Sequence, residues 1–398
     1  MKIEIKSYIE SYIKKSTNKR QRLKKAAAVG SDEIVSRIED FSADPSVKNL
    51  VILTRGLTTS GVFISRSFLR YLTSHIDFSK TETSKLSEAD LSILELVSKK
   101  LPIDSFKASP KEIFSAIFRE RVINHDNPNH HSSLKLTPAP FKTTLVLVSG
   151  VLNEIFSNAA FERGAQHLSQ NLGIHYICPK VDGTKSVEFN SNLLKEQLTD
   201  YTNENPEEKL WLLGFSKGGV DCLHFLADNP DLANEKIVGL STIASPILGA
   251  NHLNHKFLKI INSLHNYSEN QIYKFFEKQT DLLFKEFQES LSQEQQKLWF
   301  ADNHQLLPKL NFYTSLAMES NWKESHFWMI LTKAFFQNEK LNDGVVVAEN
   351  ALFPSYFDSH NFGIMKGHHL IGTRSSTYNQ EALLEAHVIY LQYIDKLT

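Results

Sequence analysis

Cysteine is nearly absent. Cys178 and Cys222 are the two in 398 residues, too few for a disulfide framework, and this usage fits a reducing compartment. Each lies in an apolar segment, where a thiol behaves as a small core residue. An excess of either charge is missing too. With 44 Lys and Arg against 45 Asp and Glu the net charge is −1, so no global field speaks for a nucleic-acid partner. No apolar run reaches the length of a membrane span. Charges interrupt Met1 to Arg22 throughout, so no secretory hydrophobic region is read there and a cytoplasmic location is expected. What is present is the composition of a globular protein, 41% hydrophobic and 22% charged, in a chain long enough for a large core and more than one folding unit.

Three stretches differ in texture. Residues 1–122 read as mainly helical. Ser87-Glu88-Ala89-Asp90 resembles a capping box ahead of Leu91, Ile93, Leu94 and Val97. Leu50 to Leu53 reads equally as a short strand or a buried helix segment. The first 25 residues are basic, with Lys14, Lys15, Lys19, Arg20, Arg22, Lys24 and Lys25, and Ile5, Ile9, Tyr12 and Ile13 share one helical face. A solvated helix docked on its own protein is the favoured reading, because the apolar face is modest. Peripheral contact with an anionic membrane surface stays open. Residues 123–140, rich in Asn, Pro, His and Ser, read as a linker. His125, His130 and His131 lack an i, i+4 pair on a helix and a Cys or carboxylate partner at ligand spacing. No metal site is assigned to them, and no cofactor is expected.

From Phe141 onward strands and helices alternate, the pattern of a mostly parallel sheet flanked by helices. Strands are expected at 143–148, 174–178, 210–213, 237–243, 311–316 and 362–365. Helices are expected at 158–171, 188–201, 220–228 and 381–396. Between 251 and 309 the sheet pattern stops and the chain turns helical and aromatic. An extra helical layer and a mobile cap over a site both fit; its place just after a strand favours the cap, whose apolar inner face would meet an apolar substrate.

The chemistry concentrates at Gly214-Phe215-Ser216-Lys217-Gly218. An apolar strand precedes this Gly-x-Ser-x-Gly and a helix follows it. In that setting a sharp turn lifts the serine hydroxyl clear of the sheet edge, and glycines flank it because a Cβ there would clash. The competing reading is a Gly-rich β–α turn of an ordinary α/β sheet. A nucleophilic Ser216 would need a histidine, and the histidine an acceptor, later in the chain. Asn342-Asp343-Gly344 is a turn ahead of the strand-like Val345 to Val347; Asp343 is either that acceptor or an Asx-turn residue serving only its own backbone. Gly367-His368-His369-Leu370-Ile371-Gly372 is a glycine-bounded loop before the last helix, and both histidines are candidate bases. His360 is a weaker rival, and His224 rides the helix that leaves the elbow. The backbone N–H groups of Lys217 and of Val151, after the first core strand, are the candidate oxyanion donors.

These residues resemble the α/β-hydrolase superfamily over about 141–398, most of all its bacterial triacylglycerol lipase branch. Besides the elbow, Thr242-Ile243-Ala244-Ser245-Pro246-Ile247-Leu248-Gly249, Asn342-Asp343-Gly344-Val345-Val346 and His369-Leu370 carry the likeness. The resemblance implies an α/β-hydrolase fold with a cap at 251–309 and gives the acid role to Asp343 and the base role to His369, with His368 the alternative. It implies a serine hydrolase cleaving acyl or lipid esters through an acyl-enzyme. An acyltransferase or thioesterase using the same residues, and a non-catalytic binding protein on this fold, stay open. Two departures stand out. Ser149-Gly150 replaces the usual His-Gly at the oxyanion strand, and Ile371 stands where many of those lipases carry a calcium-binding aspartate.

Overall fold

The computed structural model describes residues 85–102, 108–126, 136–150, 159–183, 185–250, 290–321, 325, 329, 341–373 and 376–397. The readings at Met1 to Lys25, Leu50 to Leu53, His130, His131, Val151 and 251–289 lie outside them.

Two helices come first, α1 (Glu88–Ser98) and α2 (Pro110–Asp126), followed by strand β1 (Thr143–Val148). Then come α3 (Glu162–Leu172), β2 (Tyr176–Ile177), α4 (Val187–Glu204), β3 (Lys209–Phe215), α5 (Lys217–Asp228), α6 (Pro230–Lys236) and β4 (Ile237–Ile243). The chain closes with α7 (Gln293–Asn303), β5 (Phe312–Glu319), β6 (His360–Lys366) and α8 (Gln380–Tyr393). The six strands form one sheet in the order β2-β1-β3-β4-β5-β6, and every pairing is parallel.

A parallel sheet needs cover on both faces, and the strand residues divide accordingly. Leu145 and Leu147 of β1, with Trp211, Leu213 and Phe215 of β3, pack into one core with α1, α2, α3 and α8. The alternate residues Val146, Val148, Leu210 and Leu212 pack into the other with α4, α5 and Phe300 of α7. Among the described residues no helix is long and apolar enough to cross a membrane.

Several sequence expectations need adjustment. The capping box on α1 is present: Asp90 N donates to Ser87 Oγ at 3.1 Å and Ser87 N donates to Asp90 Oδ2 at 2.9 Å. Helix α2, however, runs through Asp126, into the stretch read as linker. Its Phe114 stacks on Phe362 of β6 at 4.0 Å. The helices described before residue 122 therefore share the core of the sheet instead of forming a separate region. Strand β2 is only two residues long. Among the described residues it pairs with β1 alone, at the end of the sheet. Val345 to Val347 is not a strand; a single bridge, Asn342 to Val347, closes a tight turn, and a short 3₁₀ turn (Ala348–Ala351) follows. Of the expected cap, the described part holds α7, and Phe300 on it is fully buried against Phe357 at 5.3 Å between ring centroids.

Candidate active site

The candidate residues all leave the carboxyl ends of strands, the edge at which open parallel sheets place their ligands. Ser216 follows β3, Ser149 and Gly150 follow β1, Asp343 lies in the connection after β5, and His369 follows β6.

The turn at Ser216 is strained. Its φ is 53° and its ψ −133°, a conformation that L residues adopt only when their surroundings impose it. Those surroundings are backbone. Ser216 N donates to Ile243 O at 3.1 Å, and Ala244 N, the next residue along, donates to Leu316 O at 2.8 Å. Ser245 Oγ donates to Gly214 O at 3.2 Å. The segment Thr242 to Gly249 thus braces the elbow from the neighbouring strand. The flanking glycines are needed for approach: a Cβ on Gly218 would lie 2.3 Å from Val148 O, and one on Gly214 2.4 Å from Gly219 Cα.

His369 connects the other two residues. Its Nε2 lies 2.7 Å from Ser216 Oγ and its Nδ1 lies 2.6 Å from Asp343 Oδ2. The backbone fixes the loop as well, because His369 N donates to Asp343 O at 2.9 Å and Ser320 N, just past β5, donates to Asn342 O at 3.0 Å. The imidazole also stacks on Phe215, with centroids 5.3 Å apart and planes 30° apart. Asp343 answers to both of its readings at once. Its Oδ1 accepts from Val345 N at 2.8 Å and Val346 N at 2.7 Å, the Asx-turn role, while Oδ2 faces the histidine. Asp343 and His369 are buried, so each polar atom needs its partner.

The rival histidines lie elsewhere. His368 is buried and its Nδ1 accepts from Leu370 N at 3.0 Å, a loop-holding bond. His360 Nδ1 sits 2.9 Å from Tyr390 Oη. His224 stacks on Trp299 at 3.7 Å, where burial pushes its pKa down to about 4.

Asp221 and the close approach of Gly150 to the nucleophile escape the sequence reading. A Cβ on Gly150 would lie 2.9 Å from Lys217 N and 3.0 Å from Ser216 Oγ. The chain leaving β1 therefore abuts both the serine hydroxyl and the first N–H of α5, a position without a partner in any preceding helical turn. Ser149, in place of the usual histidine, uses its Oγ to accept from Ala160 N at 2.8 Å, tying the end of β1 to the returning chain. Lys217, expected to matter through its backbone alone, buries its side chain completely. Its Nζ pairs with Asp221 Oδ1 at 2.7 Å, and Asn190 Nδ2 donates to Asp221 Oδ2 at 2.9 Å. Burial pushes the Asp221 carboxyl up, against the pull of Lys217 and Asn190. The Lys217 to Asp221 spacing of one helical turn was the available signal.

No protein-family model matches the chain, and no curated protein matches it significantly. Solved structures do match. A metagenomic carboxyl esterase shares 19% identity, covering 79% of this chain and 97% of its own, with a TM-score of 0.52. The chain has an α/β-hydrolase fold. A mature lipase from Bacillus licheniformis is similar over 65% of this chain and 93% of its own, at 17% identity and a TM-score of 0.44. On an α/β-hydrolase sheet the order serine, acid, histidine is the one in which these three residues occur.

Proposed function

We propose that this chain is a serine hydrolase that cleaves carboxylic esters through an acyl-enzyme. One observation carries the reading: the continuous line from Ser216 Oγ through the His369 imidazole to Asp343 Oδ2, with contacts of 2.7 and 2.6 Å. Ser216 Oγ attacks the ester carbonyl carbon while His369 Nε2 takes its proton. Asp343 holds the Nδ1–H tautomer and balances the imidazolium that forms. The tetrahedral oxyanion is held by the N–H groups of Lys217 and Val151. Its collapse breaks the bond to the alcohol, which leaves with the proton from His369. Water then repeats the sequence on the acyl-enzyme and frees the acid. The carboxyl esterase that shares the fold lends this reading its reaction class. The aromatic stretch 251–309 favours an acyl chain or lipid as substrate.

The test is fluorophosphonate labelling of wild type beside Ser216→Ala, with turnover of a p-nitrophenyl acyl ester. Wild type should label and the variant should not, and turnover should fall roughly 10⁴–10⁶-fold. A folded wild type that takes no label would establish the non-catalytic alternative. Full esterase activity in Ser216→Ala would remove the nucleophile. Adding a competing alcohol and analysing the products distinguishes hydrolysis from acyl transfer.

A further inference from the structure

We infer that His125, His167 and Glu385 form a binding site for a zinc ion that fastens three helices on one flank of the sheet. Sequence spacing hid this site because its parts come from α2, α3 and α8. His125 Nε2 lies 2.9 Å from Glu385 Oε2, and His167 Nε2 lies 2.8 Å from Glu385 Oε1. The ligand atoms of the three residues all lie within 4.8 Å of one another. A tetrahedral zinc ion with bonds of about 2.0–2.2 Å spaces its ligands by roughly 3.3 Å, so small side-chain rotations suffice to admit it. Two imidazoles and one carboxylate are a donor set that zinc accepts, with water completing the shell.

The surroundings suit an ion. The two histidines are about a quarter exposed, at 25% and 23%, which leaves a path for entry. Among the described residues Arg121 Nη1 lies 3.5 Å from Glu385 Oε2, while its shorter contacts, of 2.6 and 2.8 Å, go to Glu120. The Asn171 Nδ2 lies 3.0 Å from His167 Nδ1 and 3.3 Å from its Nε2, at the edge of the ring. Zinc at Nε2 requires the tautomer with the proton on Nδ1, so each imidazole exchanges its Nε2 hydrogen bond to Glu385 for a bond to the metal.

The experiment uses the full chain, stripped with EDTA, dialysed, and titrated with zinc chloride. Zinc content by mass spectrometry and the melting temperature are the readouts, and both are independent of any hydrolytic activity. One zinc per chain is expected, with a rise of a few degrees in Tm at saturating ion. His125→Gln and His167→Gln alter partly exposed positions, and Glu385→Gln keeps the shape of the third. Each should weaken zinc binding by more than the roughly 10–100-fold that losing an outer partner costs, and each should lose the Tm gain. Absence of zinc uptake by wild type, or uptake that all three variants retain, would overturn the site and leave a hydrogen-bonded network in its place.

Discussion

Asp343 illustrates how one side chain can divide its labour between its own turn and a neighbour. Oδ1 holds the N–H groups of Val345 and Val346, and Oδ2 holds His369 Nδ1. The two tasks separate by mutation. Asp343→Asn can keep the Oδ1 acceptor while presenting an N–H₂ group to Nδ1, which forces the wrong imidazole tautomer. Its kcat should drop about 10⁴-fold with little change in melting temperature. Asp343→Ala loses the turn as well, leaving two buried N–H groups without acceptors at about 1–3 kcal/mol each, so Tm should fall along with kcat. Equal melting of the two variants would show that the turn does not depend on Oδ1. Gly150 makes a second prediction. Gly150→Ala places a methyl 3.0 Å from Ser216 Oγ and 2.9 Å from Lys217 N, in the space where an oxyanion would form. Removal of one oxyanion donor costs about 10²–10³ in kcat, and a loss of that order is expected with KM nearly unchanged. A shift in KM alone would place Gly150 in substrate binding.

Helix α5 carries the nucleophile at its start and is anchored by charge one turn in. Lys217 and Asp221 are both inaccessible to solvent, and Asn190 of α4 completes the network. Lys217→Met should strand the Asp221 carboxylate and cost about 3–5 kcal/mol in urea unfolding. The pair Lys217→Met with Asp221→Leu should recover most of that loss, because the desolvation cost disappears with the charges. A double variant as unstable as the single one would mean that the anchoring is specific to the ion pair. The same helix shows what the sequence makes legible. Gly214, Ser216 and Gly218 declare a strand–turn–helix because the close packing admits no other residue type at the two glycines. The strand 237–243 is readable to the residue, since apolar residues fall on both of its faces and Pro246 follows. Boundaries failed where tertiary contacts decide them. β2 keeps two of five expected residues, and Val345 to Val347, β-branched throughout, bends around Asp343 instead of pairing in the sheet. The partners of His125 stayed hidden for the same reason: α3 and α8 bring them there from distant sequence.

Both faces of the sheet are covered so fully that polar groups caught in the layers must stay neutral or find partners, and this sets an acid limit on the fold. His224 is the clearest case. It is packed against Trp299 at 3.7 Å with Gln296 Nε2 at 3.5 Å from its ring. Burial is the main cause that lowers its pKa to about 4 from 6.5, the Lys217 charge adds to it, and the Gln296 contact opposes both. In the unfolded chain this imidazole takes a proton as pH falls through 6.5, whereas the folded chain refuses it until about 4. Between those values the unfolded state binds more protons, so stability rises with pH and is lost on acidification. The loss is about 2 kcal/mol at pH 5. Asp221 works in the opposite sense, because a carboxyl raised in the fold binds its proton more readily there than in the unfolded chain. His387, lowered to about 4 by its burial, adds to the histidine side, so the total slope mixes several groups and only a variant isolates His224. His224→Phe keeps an aromatic ring on Trp299 and removes the titration. Melting temperatures of wild type and His224→Phe, taken from pH 7 down to pH 5, should diverge steadily, with the wild type losing more. Parallel curves would mean that His224 is protonated inside the fold, and the contact with Gln296 would then have to accommodate a charge.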